Sequence, residues 1–291
     1  MQHTAETGLI RVEGLHHTYG SGTDHGVPAL CGIDLTIQAG EYVALIGANG
    51  SGKSTLLRHL NALLLPTQGN VWIGAWNTRQ SAHLRDIRSS VGMVFQVPDS
   101  QIVATVVEED VAFGPENLGI PSDELRERVE WALSVVGMSD LRHRPSHLLS
   151  AGQKQRLAIA SALAMRPRCL LFDEATSMLD PWGRSQLLDT MAQLCDTGIT
   201  IVAATHHMSE ASLAQRVVAL SEGQIALDGT PGAVFGQGDL LRQLQLDVPQ
   251  PMLLAREVAA CVAGFPSDLL TVMDVVDAVS ARLEPLSGAY S

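Results

Sequence analysis

Residues 41–66 constrain the fold more than any other stretch. Glu41–Gly47 (EYVALIG) is a short apolar run that reads as a buried strand ending in glycine. Gly47-Ala48-Asn49-Gly50-Ser51-Gly52-Lys53-Ser54 follows and fits G-x-x-x-x-G-K-[ST]. Lys53–Leu64 then places apolar residues at 56, 57, 60, 63 and 64, a helical spacing that Pro66 stops. Strand, glycine loop and helix in this order make a phosphate cradle. Glycines let backbone N–H groups curl around phosphate oxygens without Cβ clashes. The helix N-terminus adds partial positive charge. In such a loop Lys53 reaches the β- and γ-phosphates of a nucleoside triphosphate, and the Ser54 hydroxyl ligates Mg²⁺. Lysine usage agrees: of 19 basic residues only Lys53 and Lys154 are lysine. A chain that writes arginine almost everywhere keeps a compact, rotatable ammonium at this position.

The rest of the chain reads as α/β. Gly8–Leu15, Leu30–Ile37 and Gly69–Gly74 have strand character. Residues 97–150 turn helical. Ser122 is expected to N-cap a helix with Asp123 and Glu124 in its first turn, Leu125, Val129, Leu133 and Val136 on its apolar face, and Gly137 at its end. Strands are expected again at Cys169–Phe172, Ile199–Ala204 and Arg216–Leu220, with a helix near Gly183–Cys195 between the first two. Alternating strands and helices predict a mainly parallel sheet, with the phosphate loop at the carboxyl ends of its strands. From about Gly236 a small helical appendage follows, with helices at Met252–Val262 and Thr271–Leu283 and a variant capping box from Thr271 and Asp274.

Composition narrows the function. With 291 residues, 46% of them hydrophobic, the chain can bury one large core plus an appendage, or two domains. Aromatics make up 4%, so the core must be aliphatic. A formal charge of −12 argues against a grip on nucleic acid. Cys31, Cys169, Cys195 and Cys261 lack metal-ligand spacing and read as reduced thiols. Met1–Gly14 carries two glutamates and no long apolar stretch, so no signal peptide is expected. No apolar run reaches the roughly 18 residues of a membrane span.

A second chemical element is Cys169-Leu170-Leu171-Phe172-Asp173-Glu174, an apolar strand ending in two carboxylates. This is the Walker B pattern: Asp173 for Mg²⁺ and Glu174 as general base toward the attacking water. Alone it is weak, because solvated carboxylates at strand ends are common. Beside the phosphate loop it identifies a P-loop NTPase.

Leu149-Ser150-Ala151-Gly152-Gln153, continued by QKQRLAIA from Gln153 to Ala160, resembles the LSGGQ signature of ATP-binding cassette proteins. Ala151 stands where the family has glycine. The resemblance implies a P-loop fold of the cassette type: mainly parallel core sheet, N-terminal antiparallel β subdomain, helical signature subdomain at about 97–165, and here a small C-terminal helical appendage. The nucleotide-binding domain would span 1–235 and the appendage 236–291. It implies ATP and Mg²⁺, and a head-to-tail dimer in which Ser150, Ala151, Gly152 and Gln153 meet the γ-phosphate of the opposite subunit. ATP would contact Tyr19, by stacking on adenine, and Gly47, Asn49, Gly50, Ser51, Gly52, Lys53, Ser54 and Thr55. Gln96 matches the Q-loop glutamine near Mg²⁺ and water, Asp180 closes the D-loop (SMLD, Ser177–Asp180), and His206 matches the switch histidine. His207 beside it invites a metal-pair reading, but adjacent loop residues seldom ligate one ion without further partners.

VPDSQIVATVVEEDVAFGPENLGIP at 97–121, LQLDVPQPMLLA at 244–255 and FPSDLLTVMDVVDAV at 265–279 resemble the energy-coupling-factor transporters of vitamin, cobalt and nickel uptake. That resemblance implies a homodimer or a heterodimer with a homologous ATPase, on the cytoplasmic face of the membrane. A transmembrane coupling subunit would be contacted near 96–117, and a separate membrane subunit would capture the solute. Other importer ATPases, soluble cassette proteins and a non-catalytic scaffold are the competing readings. A single cassette without a long coiled-coil insert disfavours the second, and intact Asp173, Glu174 and His206 disfavour the third.

Overall fold

Three runs decide the architecture because every residue in them is buried: Tyr42–Ile46, Cys169–Asp173 and Thr200–Ala204. A strand covered on both faces must lie inside a parallel sheet with a layer on each side. The structure, a computed structural model describing residues 8–22 and 25–283, has that form. Residues 1–7 of the N-terminal stretch and 284–291 of the appendage lie outside the described residues.

In order, the elements are β1 (Ile10–Tyr19), β2 (Val27–Ile37), β3 (Tyr42–Ile46), α1 (Lys53–Leu60), β4 (Gln68–Ile73), β5 (Trp76–Asn77), α2 (Leu84–Ser90) and β6 (Val91–Val94). Next come α3 (Val107–Asn117), α4 (Ser122–Val135), α5 (Ala151–Ala164), β7 (Cys169–Asp173), α6 (Pro181–Asp196), β8 (Thr200–Ala204) and α7 (Met208–Ala211). The chain continues through β9 (Arg216–Ser221), β10 (Gln224–Gly229), α8 (Pro231–Phe235), α9 (Gly238–Gln243), α10 (Gln250–Cys261) and α11 (Val272–Leu283).

The large sheet has the order β10-β9-β3-β8-β7-β6 and is parallel except for β10, which pairs antiparallel with β9. The small sheet, β2-β1-β4-β5, is antiparallel throughout. Strand alternation sorts the core into two. Val43, Leu45, Leu171, Val202 and Val218 face α1 and the small sheet. Ala44, Ile46, Leu170, Phe172, Ile201 and Val217 face a second layer built from α3–α6. The appendage joins this second core through Leu241, Leu246 and Met252.

Two expectations need correction. The helix after the phosphate loop stops at Leu60, not Leu64, and Ala62 takes φ 55, a left-handed conformation that a continuing helix cannot hold. Ser122 is the first helical residue of α4 and makes no side-chain cap; Pro121 precedes it with fixed φ −58. The proline presets entry into the helix without a capping oxygen. The expected face of α4 is correct, with Val129, Leu133 and Val136 buried and Leu125 packed against them, and Gly137 ends the segment at φ 64.

Candidate nucleotide site

Parallel strands end at one edge, so β3, β6, β7 and β8 deliver their following residues to the same place. After β3 the loop turns back at Gly47, where a Cβ would lie 2.5 Å from Leu220 O and also meet Ser51 Oγ. Gly52, φ 107, opens α1 with Ala29 O so close that a Cβ would sit 2.8 Å away. Only glycine satisfies either approach. Lys53 Nζ curls back and donates to Gly47 O (2.8 Å) and Ala48 O (3.2 Å). Burial holds its pKa below the usual lysine value, with Glu174 and Asp173 opposing the shift. Ser51 is buried in the loop beside it, and Asn49 and Gly50 form its rim.

Ser54 Oγ donates to Asp173 Oδ1 at 2.6 Å, closing a gap of 119 residues in sequence. Burial raises the Asp173 pKa from its ordinary value, against the Ser54 hydrogen bond and the charge of Arg58. Hydroxyl and carboxylate oxygens converging beside a phosphate loop are the hard donors that Mg²⁺ takes, so the residues fit that ion.

Glu174 follows at φ 49, a left-handed backbone that costs a non-glycine residue about 1–3 kcal/mol. The turn aims its carboxylate into the cleft. Oε1 lies 3.8 Å from Lys53 Nζ. Oε2 accepts from Gln96 Nε2 at 3.3 Å and lies 3.5 Å from His206 Nδ1. Three residues, following β3, β6 and β8, thus converge on the carboxylate that follows β7. A cleft of about 1360 Å³ opens here, lined by Gly47, Asn49, Gln96, Glu174 and His206, and on its far side by appendage residues including Gln250, Leu254 and Val275.

Tyr19 leaves its ring 40% exposed at the end of β1. Its hydroxyl and Thr55 Oγ1 share a 3.2 Å hydrogen bond, and His17 meets the ring edge-on at 4.6 Å. The tyrosine therefore stands partly exposed beside the first turn of α1. His206 and His207 lie with rings 4.1 Å apart, but among the described residues no group of three or more His, Cys, Asp or Glu could hold a metal.

The signature residues are built differently. Ser150 caps α5 in a reciprocal box: its Oγ accepts from Gln153 N (3.3 Å) and Gln153 Oε1 accepts from Ser150 N (3.0 Å). Ala151 is exposed at the first helical position, where a methyl meets no obstacle. A Cβ on Gly152 would reach Leu179 Cδ2 at 3.7 Å, so the turn abuts the D-loop of its own chain. None of Ser150–Gln153 lines the cleft. Asp180 also works as a cap, its carboxylate accepting from Gly183 N at 2.6 Å to start α6.

The segment after Gln96 is bolted to α5. Asp99 pairs with Lys154 at 2.5 Å, and Gln101 Nε2 donates to Ala158 O at 3.5 Å. The buried Asp110 of α3 accepts from Ser161 Oγ at 2.8 Å and from Val103 and Ala104 N–H at 2.7 and 2.9 Å. Sequence reasoning missed these, and it missed Glu210, which is buried just behind the cleft. Polar residues scattered through an apolar pattern were the available signal; Lys154, Ser161 and Thr176, the partners of Asp99, Asp110 and Glu210, lie 34 to 55 residues away.

Comparison with known proteins gives the family. The ABC transporter family model matches residues 30–177, just over half of the chain. An energy-coupling factor transporter ATP-binding protein EcfA1 of Symbiobacterium thermophilum is 52% identical over 93% of this chain and 96% of its own length. The protein of the same name from Caldanaerobacter subterraneus subsp. tengcongensis is 48% identical over 92% and 98%. Among solved structures, cbiO1 from Clostridium perfringens, part of the ABC transporter complex cbiONQ, superposes with a TM-score of 0.73 at 37% identity, covering 82% of this chain and 95% of that one. The cassette MJ0796, a dimer bound to ADP and Pi, gives 0.69 at 29% identity over 76% and 98%. The chain therefore belongs to the ABC transporter family, as an ATP-hydrolysing subunit of the energy-coupling factor type.

Proposed function

We propose that this chain hydrolyses ATP in the cleft at the strand ends and that the cycle drives uptake of a vitamin or a transition-metal ion through separate membrane subunits. The observation that carries the reading is the convergence of Lys53, Gln96 and His206 on Glu174 beside the phosphate loop. Tyr19 stacks on adenine. Gly47, Asn49, Gly50, Ser51, Gly52 and Thr55 shape the triphosphate bed, and Lys53 turns from the loop carbonyls to the β- and γ-phosphates. Ser54 and Asp173, with Gln96, would hold Mg²⁺; when bound, the ion would neutralise charge on the phosphate oxygens. Glu174 takes the proton of the attacking water, and His206 orients toward the γ-phosphate.

Two protomers, of this chain or of this chain and a homologue, sandwich the nucleotide, each lending Ser150–Gln153 to the other. The dimeric MJ0796 cassette, bound to ADP and Pi, supports this arrangement. The exposed N-terminus of α5 supports it too, as a ready anion site. Residues 1–235 act as the ATPase. The appendage, 236–291, and the face near 96–117 serve subunit contacts at the cytoplasmic side of the membrane. Among the described residues no helix is long and apolar enough to cross a membrane.

Glu174→Gln keeps the shape and removes the base. It is expected to slow turnover on the order of 100-fold or more and to trap an ATP-bound dimer, measured by phosphate release and light scattering. Turnover at the parental rate would refute the assignment of the base. Co-purification with two integral subunits, one of them a solute-capturing protein without ATPase contact, tests the transporter class.

A further inference from the structure

Glu210 is a carboxylate on the short α7, only 4% exposed, and it does not line the cleft. Its Oε2 accepts from Thr205 Oγ1 at 2.6 Å and from Thr176 Oγ1 at 3.0 Å. Its Oε1 lies 3.5 Å from Arg184 Nε. These partners come from the loop after β8, the loop after β7 and α6, and each is a near neighbour of the proposed chemistry. Thr205 directly precedes His206, Thr176 stands two residues after Glu174, and Arg184 sits in the first turn of α6 after the D-loop. Arg184 itself lines the cleft with Glu174 and His206.

The backbone on each side is already tethered. Glu174 N donates to Ala204 O at 3.1 Å, and Thr205 N donates to Leu45 O at 3.0 Å. Those bonds fix the strand ends, not the loops that leave them. The two hydroxyls on Glu210 add a buried link, behind the 3.5 Å contact of His206 with Glu174, between the loop after β7 and the loop after β8. Thr205 Oγ1 also accepts from His207 N at 3.0 Å, so the same hydroxyl shapes the histidine turn. A buried carboxylate held by two hydroxyl donors, with an opposite charge 3.5 Å from its other oxygen, makes a stiff joint.

We propose that Glu210 is a positioning residue that locks the Glu174 loop and the His206 loop in register, so that base and histidine meet the same phosphate. The inference rests on the proposed ATP hydrolysis at this cleft. It predicts an effect on the chemical step and little on nucleotide affinity, because the phosphate loop is anchored elsewhere. Glu210→Gln is the isosteric probe. Glu210→Ala would enlarge the water-sized cavity of about 10 Å³ that Glu210 shares with Tyr42, Thr176 and Thr205, and confuse the result with unfolding.

In the full chain, Glu210→Gln is expected to lower kcat on the order of 10–100-fold while the ATP Kd and KM change less than about twofold. Thr205→Val should fall similarly and Thr205→Ser should restore most of the loss. The double variant Glu210→Gln/Thr205→Val should be no slower than the worse single one, since both break one joint. A kcat within about twofold of the parent, or a kcat that drops only in step with ATP affinity and melting temperature, overturns the proposal. A parent chain that binds ATP without turning it over overturns the proposed function itself, and the inference with it.

Discussion

The cleft and the C-terminal appendage are stabilised by opposite means. At the cleft, charged and polar groups are buried: Lys53 is 5% exposed and Asp173 6%, and Ser54 meets Asp173 across 119 residues of chain. In the appendage apolar groups are exposed, with Val272 at 68% and Met273 at 63%. Its last helix is held by bonds within one turn: Thr271 N donates to Asp274 Oδ2 at 2.8 Å, and Asp274 N donates to Thr271 Oγ1 at 3.1 Å. Arg282 adds a contact to Gly264 O. The first region exists only when distant strands have assembled. The second can be weakened piece by piece. Chemistry on a triphosphate demands the former, because charge stabilisation is strong only where water is thinned and groups are fixed in advance.

The strongest way to break this contrast is Lys53→Ala. It should reduce ATP affinity on the order of 100-fold, read by titration with a fluorescent nucleotide, while the fold persists. Retained affinity would mean that the buried ammonium serves the loop and not the nucleotide. Next is Met252→Ala, which removes an anchor of the appendage from the main core. A loss of about 2–5 kcal/mol in urea unfolding is expected. A cost below about 1 kcal/mol would show the appendage to be independently folded.

The smallest effect belongs to the α11 cap. Thr271→Ala should cost about 1 kcal/mol or less, seen as local hydrogen exchange in residues 272–276. This cap is also pH-dependent. The Thr271 hydrogen bonds hold the Asp274 pKa below its ordinary 3.8. A depressed carboxylate contributes stability that is full above its unfolded value and lost as pH falls through the folded one. The parent's protection of α11 should therefore fall as pH drops below about 3.8, toward that of Thr271→Ala. Protection that is flat with pH would place the stability of α11 in its packing.

Local order in the chain was enough for several features. Glycines 47 and 52 with Lys53 located the phosphate loop, the fully apolar runs located β3, β7 and β8, and Thr271 with Asp274 marked the start of α11. These signals work because the residues that matter are neighbours: a turn, a cap or a buried strand is a short-range event. Other features escaped. Val91–Val94 and Gln224–Gly229 are too short or too polar to stand out and become strands only beside β7 and β9. The end of α1 at Leu60 is set by Arg58 O accepting from Leu63 and Leu64 N–H, both at 2.9 Å, in a turn that apolar spacing could not foretell.

At the site the division is the same. The sequence alone named the residues proposed to carry the chemistry: Lys53, Ser54, Gln96, Asp173, Glu174 and His206 each stand in a recognisable local context. Only the tertiary structure decided that Gln96, Lys53 and His206 share the Glu174 carboxylate, that Asp99 fastens to Lys154, and that Glu210 ties two loops from behind. The reason is physical. Contacts between residues separated by tens to more than a hundred positions depend on which strand ends the sheet order brings together, and that order is a property of the packed whole.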